Sequence, residues 1–378
     1  MNNRTAAKVL AVMALVAIGV YSISCKPAWS PQGDQVAYIC GAEVDDESQF
    51  AIAIYDFKNG QSRCIVQPKS GEAAARLVPI EVFWPKRGHK LYYVSAPEDE
   101  EDAGTVRFSA YDLRTGQTEV LQEMPADGVF LMSSAYPILL HKQRWLWILG
   151  DDACFRVDLK KRKATELKQA QVLIGAGRKV FFLRQAPDDG FVFGRIRTFF
   201  SLKEAPLFTL SPEEGEELFP VTAVPEKRLH FACIKHTDKA NAMMILDRKG
   251  VCTKEILLPR SIEFDHEFLP GAEWNSDGTI LWVTVSGEDD ERTEYTGIIE
   301  INVPEGSVKV IKVNEDERYG DLKPWHLSLS PTGTHLAASM AGDDGFALCL
   351  VDLRTEERAV TVVPPPAPLA PAQMAKAQ

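Results

Sequence analysis

The sequence predicts an all-β protein: a β-propeller of seven four-stranded antiparallel blades, with six blades as the alternative. Two observations lead to this class. A turn-and-strand phrase recurs along the 378 residues, and the apolar residues inside each copy alternate with a period of two, which is typical of strands. Because 45% of the residues are hydrophobic and 25% are charged, we also expect a packed core.

One half of the repeat is a tight turn followed by an alternating strand. Proline presets one turn dihedral and glycine supplies a positive one, so each copy predicts a reversal between two strands. The four clear copies are "WSPQGDQVAYI" (29–39), "WPKRGHKLYYV" (84–94), "WNSDGTILWVTV" (274–285) and "SPTGTHLAASM" (330–340).

The other half is an apolar strand that ends in Asp, followed by a second reversal. Its copies are "AIAIYDFKNG" (51–60), "FSAYDLRTG" (108–116), "CFRVDLKKR" (154–162), "MMILDRKG" (243–250), "IIEINVPEG" (298–306) and "ALCLVDLRT" (347–355), with a degenerate copy in "LFTLSPEEG" (207–215). The copies are spaced by about 49 residues on average, which is the length of one propeller blade. Radial repetition buries both faces of many small sheets, whereas a two-layer sandwich needs far fewer strands.

The phrase W-S-P-x-G before an apolar strand, with D-x-x-x-G after the next one, resembles the TolB-type propeller repeat, a relative of the WD-repeat family. The resemblance extends over residues 26–363. It implies a ring of blades and no particular activity. We expect the chain to lack both the N-terminal domain of TolB and the hydrolase domain of prolyl-oligopeptidase-like enzymes.

Three regions are expected: a signal peptide or signal anchor in 1–24, the propeller in 25–363 and a disordered Pro/Ala-rich tail in 364–378. The uncharged stretch from Val9 to Ser24 is short for a bilayer span, which needs about 20 residues. Cys25 follows a possible cut site that resembles a bacterial lipobox, which makes it a lipidation candidate. An uncleaved anchor and a free Cys25 are the alternatives. We expect an exported protein of the bacterial periplasm or envelope, held at the membrane by its N-terminus.

Acidic pairs occur in the loops predicted between the second and third strands of the blades. Together these loops are more acidic than the whole chain, whose net charge is −11, so the two faces of the disc should differ in charge. Solvated hairpin turns explain the pattern; the alternative is a face that binds calcium or a basic partner. The net charge also disfavours nucleic acid as a partner. The candidate residues are Asp45, Asp46, Asp99, Asp102, Asp151, Asp152, Asp188, Asp189, Asp289, Asp290, Asp343 and Asp344.

Catalytic signals are weak, because the sequence has no nucleophile elbow, no H-E-x-x-H and no phosphate-binding loop. A mixed carboxylate and imidazole metal site is a candidate at Asp265, His266, Glu267 and His326. Some seven-bladed propellers are lyases that hold a metal with three histidines. Only His326 falls on a predicted inner strand here, so that signature is absent. We expect no cofactor, with calcium as the alternative.

Tryptophans and cysteines are interpreted as structural. Trp29, Trp84 and Trp274 stand at equivalent turn positions, which favours a wedge between neighbouring blades over a sugar-stacking role. Two pairs of cysteines, Cys40 with Cys64 and Cys233 with Cys252, fall two strands apart. That separation is about 9.5 Å and exceeds what a disulfide spans, so we predict four small core residues.

The leading functional hypothesis is a non-catalytic envelope propeller that binds or scaffolds proteins or peptides through its loop faces. We expect a monomer whose only membrane contact is its N-terminus. The alternative is an envelope enzyme that acts on a polysaccharide or peptide at the channel mouth, with His326 and residues 265–267 as its candidate groups.

Overall fold

Strands and turns make up the described part of the chain. The computed structural model describes residues 26–44, 47–66, 77–97, 105–125, 138–140, 145–149, 153–158, 161, 163–168, 172–176, 179–186, 190–197, 203–221, 223–225, 227–263, 271–288, 294–313, 322–342 and 345–366. Within these ranges no helix is long and apolar enough to cross a membrane.

The described strands fall into seven consecutive groups, which we number as blades 1 to 7. Blades 1 to 3 contain β1 (Ala28–Trp29), β2 (Gln35–Val44), β3 (Glu47–Asp56) and β4 (Gln61–Val66); β5 (Leu77–Phe83), β6 (Lys90–Pro97), β7 (Thr105–Asp112) and β8 (Thr118–Pro125); β9 (Ile138–Leu140), β10 (Trp145–Leu149), β11 (Ala153–Asp158) and β12 (Lys163–Lys168). Blades 4 and 5 contain β13 (Val172–Ala176), β14 (Lys179–Gln185), β15 (Phe191–Arg197) and β16 (Lys203–Leu210); β17 (Glu216–Val221), β18 (Phe231–Thr237), β19 (Asn241–Leu246) and β20 (Cys252–Leu257). Blades 6 and 7 contain β21 (Ile262–Glu263), β22 (Ala272–Trp274), β23 (Ile280–Glu288), β24 (Glu294–Asn302) and β25 (Ser307–Lys312); β26 (Lys323–Leu329), β27 (His335–Gly342), β28 (Gly345–Asp352) and β29 (Val360–Val363).

Each blade is an antiparallel sheet whose strands pair in chain order, except that in blade 6 both β21 and β22 pair with β23. The first strands of neighbouring blades lie against each other, as β22 does against β26 and β26 against β1. These are therefore the inner strands around a common axis, which is the arrangement of a β-propeller.

The ring closes because blade 1 packs on blade 7 as blade 6 packs on blade 5. The indole Nε1 of Trp29 donates to the backbone oxygen of Ser328 at 2.9 Å, and that of Trp274 donates to the oxygen of Ala223 at 3.2 Å. Both tryptophans are buried, so the predicted role as wedges between blades is confirmed for these two. Trp84 is half-buried and packs against a cluster of residues from blades 1 and 2. Backbone pairing of Gly41 with Phe346 also joins blades 1 and 7 into one eight-stranded sheet. Because two groups share a sheet, the number of independent blades, seven or six, stays a prediction.

The repeated turns have the chemistry that the sequence predicts. In blade 1 the Gly33 amide donates to the oxygen of Ser30 at 2.9 Å, and Gly33 has a φ of 75°, which glycine adopts without a steric penalty. In the second reversal the Asp56 carboxylate accepts the amide of Lys58 at 2.8 Å. A hydrogen bond from the Gln35 side chain, together with this one from the Lys58 amide, lowers the pKa of Asp56.

Two sequence-based assignments are wrong in detail. Residues 207–210 are not the third strand of blade 4 but the end of its fourth strand, β16. The third strand is β15 (FVFGRIR), which does not end in Asp and so lacks the mark of the repeat. Its Gly194 stands under the ring of Phe182. Cys40, Cys64 and Cys233 are free and buried, but Cys252 is exposed because it starts the outer strand of blade 5.

Candidate functional site

Residues from blades 6, 7 and 1 come together at the inner strands, at a place we call the inner cluster: Lys26, Gly271, Glu273, Trp325 and His326. Lys26 precedes β1, Glu273 lies on β22, and Trp325 and His326 lie on β26. The predicted position of His326 on an inner strand is confirmed.

Lys26 and Glu273 form an ion pair that passes beside the inner strand of blade 7. The Lys26 Nζ lies 2.6 Å from the Glu273 Oε2, and the side chains are 41% and 24% exposed. Partly exposed pairs of this kind contribute little to stability. The pair instead leaves hydrogen-bonding groups of both signs accessible at the inner strands.

His326 is the buried imidazole of the inner cluster. Its residue is 6% exposed, and burial, with a smaller effect of the Lys26 charge, lowers its pKa to about 3. The imidazole is therefore neutral at neutral pH. That is the form which accepts a proton or binds a metal, but its burial keeps it behind the surface of the cluster.

Gly271 bonds to β23 of its own blade and lies directly against β26, the strand that carries His326. The Gly271 amide donates to the hydroxyl of Thr284 at 2.9 Å, and the Thr284 amide donates back to the Gly271 oxygen at 2.9 Å. A Cβ on Gly271 would lie 1.6 Å from the carbonyl oxygen of Trp325. β21 and β22 both pair with β23, and the residues between these two strands, 264–270, lie outside the described residues.

Many of the candidates predicted from the sequence lie outside the described residues. This holds for Cys25, for Asp265, His266 and Glu267, and for all twelve aspartates of the predicted acidic pairs. Among the residues that are described, no group of three or more His, Cys, Asp or Glu is placed to hold a metal ion. The metal site and the acidic-face site therefore stay predictions.

The sequence did not predict the ion pair or Trp325. Lys26 and Glu273 are 247 residues apart, and no motif connects them. Trp325 is the extra residue of a β-bulge, because Pro324 pairs with Met340 while His326 pairs with the adjacent Ser339. The only sequence signal was the likeness of "LKPWHLSL" in blade 7 to "LVPIEVF" in blade 2, which becomes meaningful once the register is known.

Acidification is expected to destabilise the protein through His326. Its pKa in the folded state is about 3, and an exposed histidine titrates near 6.5, so between these values only the unfolded chain takes up the proton. The stabilisation is complete above about pH 6.5 and is lost as the pH falls toward 3, by about 2 kcal/mol at pH 5. Thermal unfolding measures this effect: between about pH 7.5 and 5 the Tm of the wild type should fall more steeply than that of His326→Gln. Parallel slopes would mean that the folded protein protonates this imidazole.

Comparison with known proteins supports the fold. No family model and no curated protein matches the chain. Among solved structures it is similar to an oligogalacturonate lyase in complex with manganese, at 15% identity and a TM-score of 0.53, covering 86% of this chain and 89% of the other. It is similar to the β-propeller domain of the Trilobed protease from Pyrococcus furiosus, at 13% identity and a TM-score of 0.52, covering 86% and 93%. The acylaminoacyl peptidase of Pyrococcus horikoshii matches at 12% identity and a TM-score of 0.52, covering 86% of this chain but 50% of that one.

These comparisons contradict the prediction of a non-catalytic binding propeller, because the matched structures are enzymes or the propeller of one. The repeat determines the ring, whereas chemistry depends on a few side chains that the ring carries. The absence of a catalytic motif therefore gave no ground for excluding catalysis. At this level of identity the likeness shows the architecture alone: the chain folds as a β-propeller.

Proposed function

We propose that the chain is an exported cell-envelope enzyme that acts on a polysaccharide at the mouth of its channel. One observation carries the choice of substrate. The match to oligogalacturonate lyase spans 89% of that protein, whereas the match to acylaminoacyl peptidase spans half of that protein. In the lyase the matched propeller makes up nearly the whole enzyme, whereas in the peptidase half of the chain has no counterpart here. We therefore favour a polysaccharide substrate over a peptide.

The inner cluster supplies the groups for such chemistry. Glu273 offers a carboxylate that can accept a proton from a substrate, and Lys26 offers a cation beside it at 2.6 Å. A positioned acid or base typically contributes a factor of about 10² or more. His326, neutral and buried behind this pair, keeps the local net charge low.

The manganese of the similar lyase raises the question of a metal here. The described residues do not fit one by themselves, because no group of three ligands is found among them. Asp265, His266 and Glu267 stand outside the described residues, so no step of the proposal runs through a metal.

The proposal includes the finer identification of the repeat and its location. We propose a TolB-type repeat in a lipoprotein that is acylated at Cys25 and faces the periplasm. Lys26, the next residue, lies in the inner cluster, so the anchor would leave the ring close to its axis. Mass spectrometry of protein from native membranes tests this: an unmodified Cys25 in a soluble protein would contradict it.

The enzymatic proposal is tested with purified protein and a panel of oligosaccharides, including oligogalacturonate. We expect new chain ends in mass spectrometry, and we expect Glu273→Gln to reduce the rate about 10²-fold. Glu119→Gln is the matched control, because Glu119 forms a similar pair with Lys90 at 2.9 Å in the outer part of blade 2. Assays with added manganese, calcium or chelator establish metal dependence. No cleavage of any saccharide under these conditions would overturn the proposal.

A further inference from the structure

The inner strands of blades 2 and 7 share a β-bulge with one difference. In blade 2 the register shifts between Pro79 and Glu81, and in blade 7 between Pro324 and His326. The extra residue is Ile80 in the first case and Trp325 in the second. Ile80 is buried, with 7% exposure, whereas Trp325 is partly exposed.

A tryptophan at this bulge is not required by packing. The blade 2 bulge shows that an isoleucine suits the same backbone, and bulges commonly re-aim a side chain next to a functional site. The indole Nε1 of Trp325 is buried, so the polar atom of the ring is directed inward. Any accessible part of the Trp325 indole is therefore apolar carbon surface.

Lys26 and Glu273 lie on the chain segments that neighbour β26, the strand of Trp325. The Trp325 carbonyl lies against Gly271, two residues from Glu273, and the next residue, His326, is close enough to Lys26 to sense its charge. An ammonium and a carboxylate 2.6 Å apart present donors and acceptors together. Vicinal hydroxyl groups of a sugar have the same dual character.

From this arrangement we infer that Trp325, Lys26 and Glu273 form a subsite for a pyranose ring of an oligosaccharide. The C–H face of the sugar stacks on the indole, and its vicinal hydroxyls bond to the ion pair. Apolar surface with a few polar groups at its edge is the usual composition of a small-ligand site. The inference rests on the proposed function, since it names the binding residues of that site.

The test measures binding separately from turnover. Isothermal titration with oligogalacturonate and with a neutral cello-oligosaccharide gives the affinity of the wild type, and intrinsic fluorescence reports whether an indole is covered. Trp325→Ile, which copies the blade 2 bulge, should weaken binding at least about tenfold and abolish the fluorescence change, while Trp325→Phe keeps part of the affinity. Tyr92→Leu is the control, because Tyr92 is a half-buried aromatic residue of blade 2 outside the cluster.

Lys26→Gln separates the two kinds of sugar. If Lys26 bonds only to hydroxyl groups, the variant should lose affinity for both ligands equally. If Lys26 pairs with a uronate carboxylate, the affinity for oligogalacturonate should fall more. Either result supports the subsite. Unchanged affinity in a folded Trp325→Ile, or no binding of either ligand by the wild type, overturns it. Turnover with an unchanged KM in Trp325→Ile refutes the subsite and leaves the proposed enzyme standing, whereas Trp325-dependent binding without turnover refutes the enzyme alone.

Discussion

Gly271→Ala is expected to lower the free energy of unfolding by about 3 kcal/mol or more, the range of severe overpacking. The added methyl group would lie 1.6 Å from the Trp325 oxygen, which belongs to the backbone of the neighbouring blade and cannot rotate away. Gly271 is also held on its other side by two hydrogen bonds with Thr284. Blades 6 and 7 must therefore separate locally, and chemical denaturation should show the loss directly.

Gly333→Ala is the matched control for this contact. Gly333 has a φ of 71°, and a methyl group added there would meet no atom within 4 Å, so alanine faces only the backbone penalty of about 1 kcal/mol. If Gly271→Ala lowers the free energy of unfolding no more than Gly333→Ala does, blade 7 does not lie in close contact with Gly271.

Arg358→Leu is expected to cost about 2 to 3 kcal/mol, because it leaves a largely buried carboxylate without its cation. The Arg358 guanidinium lies 2.8 and 3.0 Å from the two oxygens of Glu300, across the boundary of blades 7 and 6. The side chains are 19% and 12% exposed. Despite its burial Glu300 has a lowered pKa, held down by hydrogen bonds from Arg358 and Trp282. Thermal unfolding at neutral pH measures the loss.

Arg354→Leu controls for the removal of an arginine in the same turn. Arg354 pairs with Asp352 at 2.6 Å but is 62% exposed, so its Tm should stay near that of the wild type. The double variant Arg358→Leu with Glu300→Leu should regain part of the stability, since it removes the uncompensated charge. A single Arg358→Leu as stable as Arg354→Leu would mean that water solvates Glu300.

The local chemistry of the repeat could be predicted from the sequence, because it depends on residues close together in the chain. Gly33 with its positive φ and Asp56 with its amide partner follow from turn preferences alone. The same reasoning failed for blade 4, whose third strand contains Gly194 under a phenyl ring. There the packing partner, and not an alternating pattern, determines the strand.

The candidate site could be predicted only in part. The position of His326 on an inner strand followed from the repeat, but its burial did not, because burial depends on blades 6 and 1 lying on either side of β26. The ion pair of Lys26 with Glu273 joins residues 247 positions apart. The bulge at Trp325 is a shift in register, which residue types alone do not encode.

Among the described strands, the strands of each blade come from one continuous stretch of chain, and the Gly41–Phe346 pairing is what joins the first blade to the sheet of the last. The sheets can therefore form one after another as the chain is synthesised. The hydrogen bond of the Trp29 indole to Ser328 cannot form until the chain has extended by another 299 residues. Until the last blade has formed, the edge of blade 1 that carries Trp29 therefore lacks the partner that bonds to its indole.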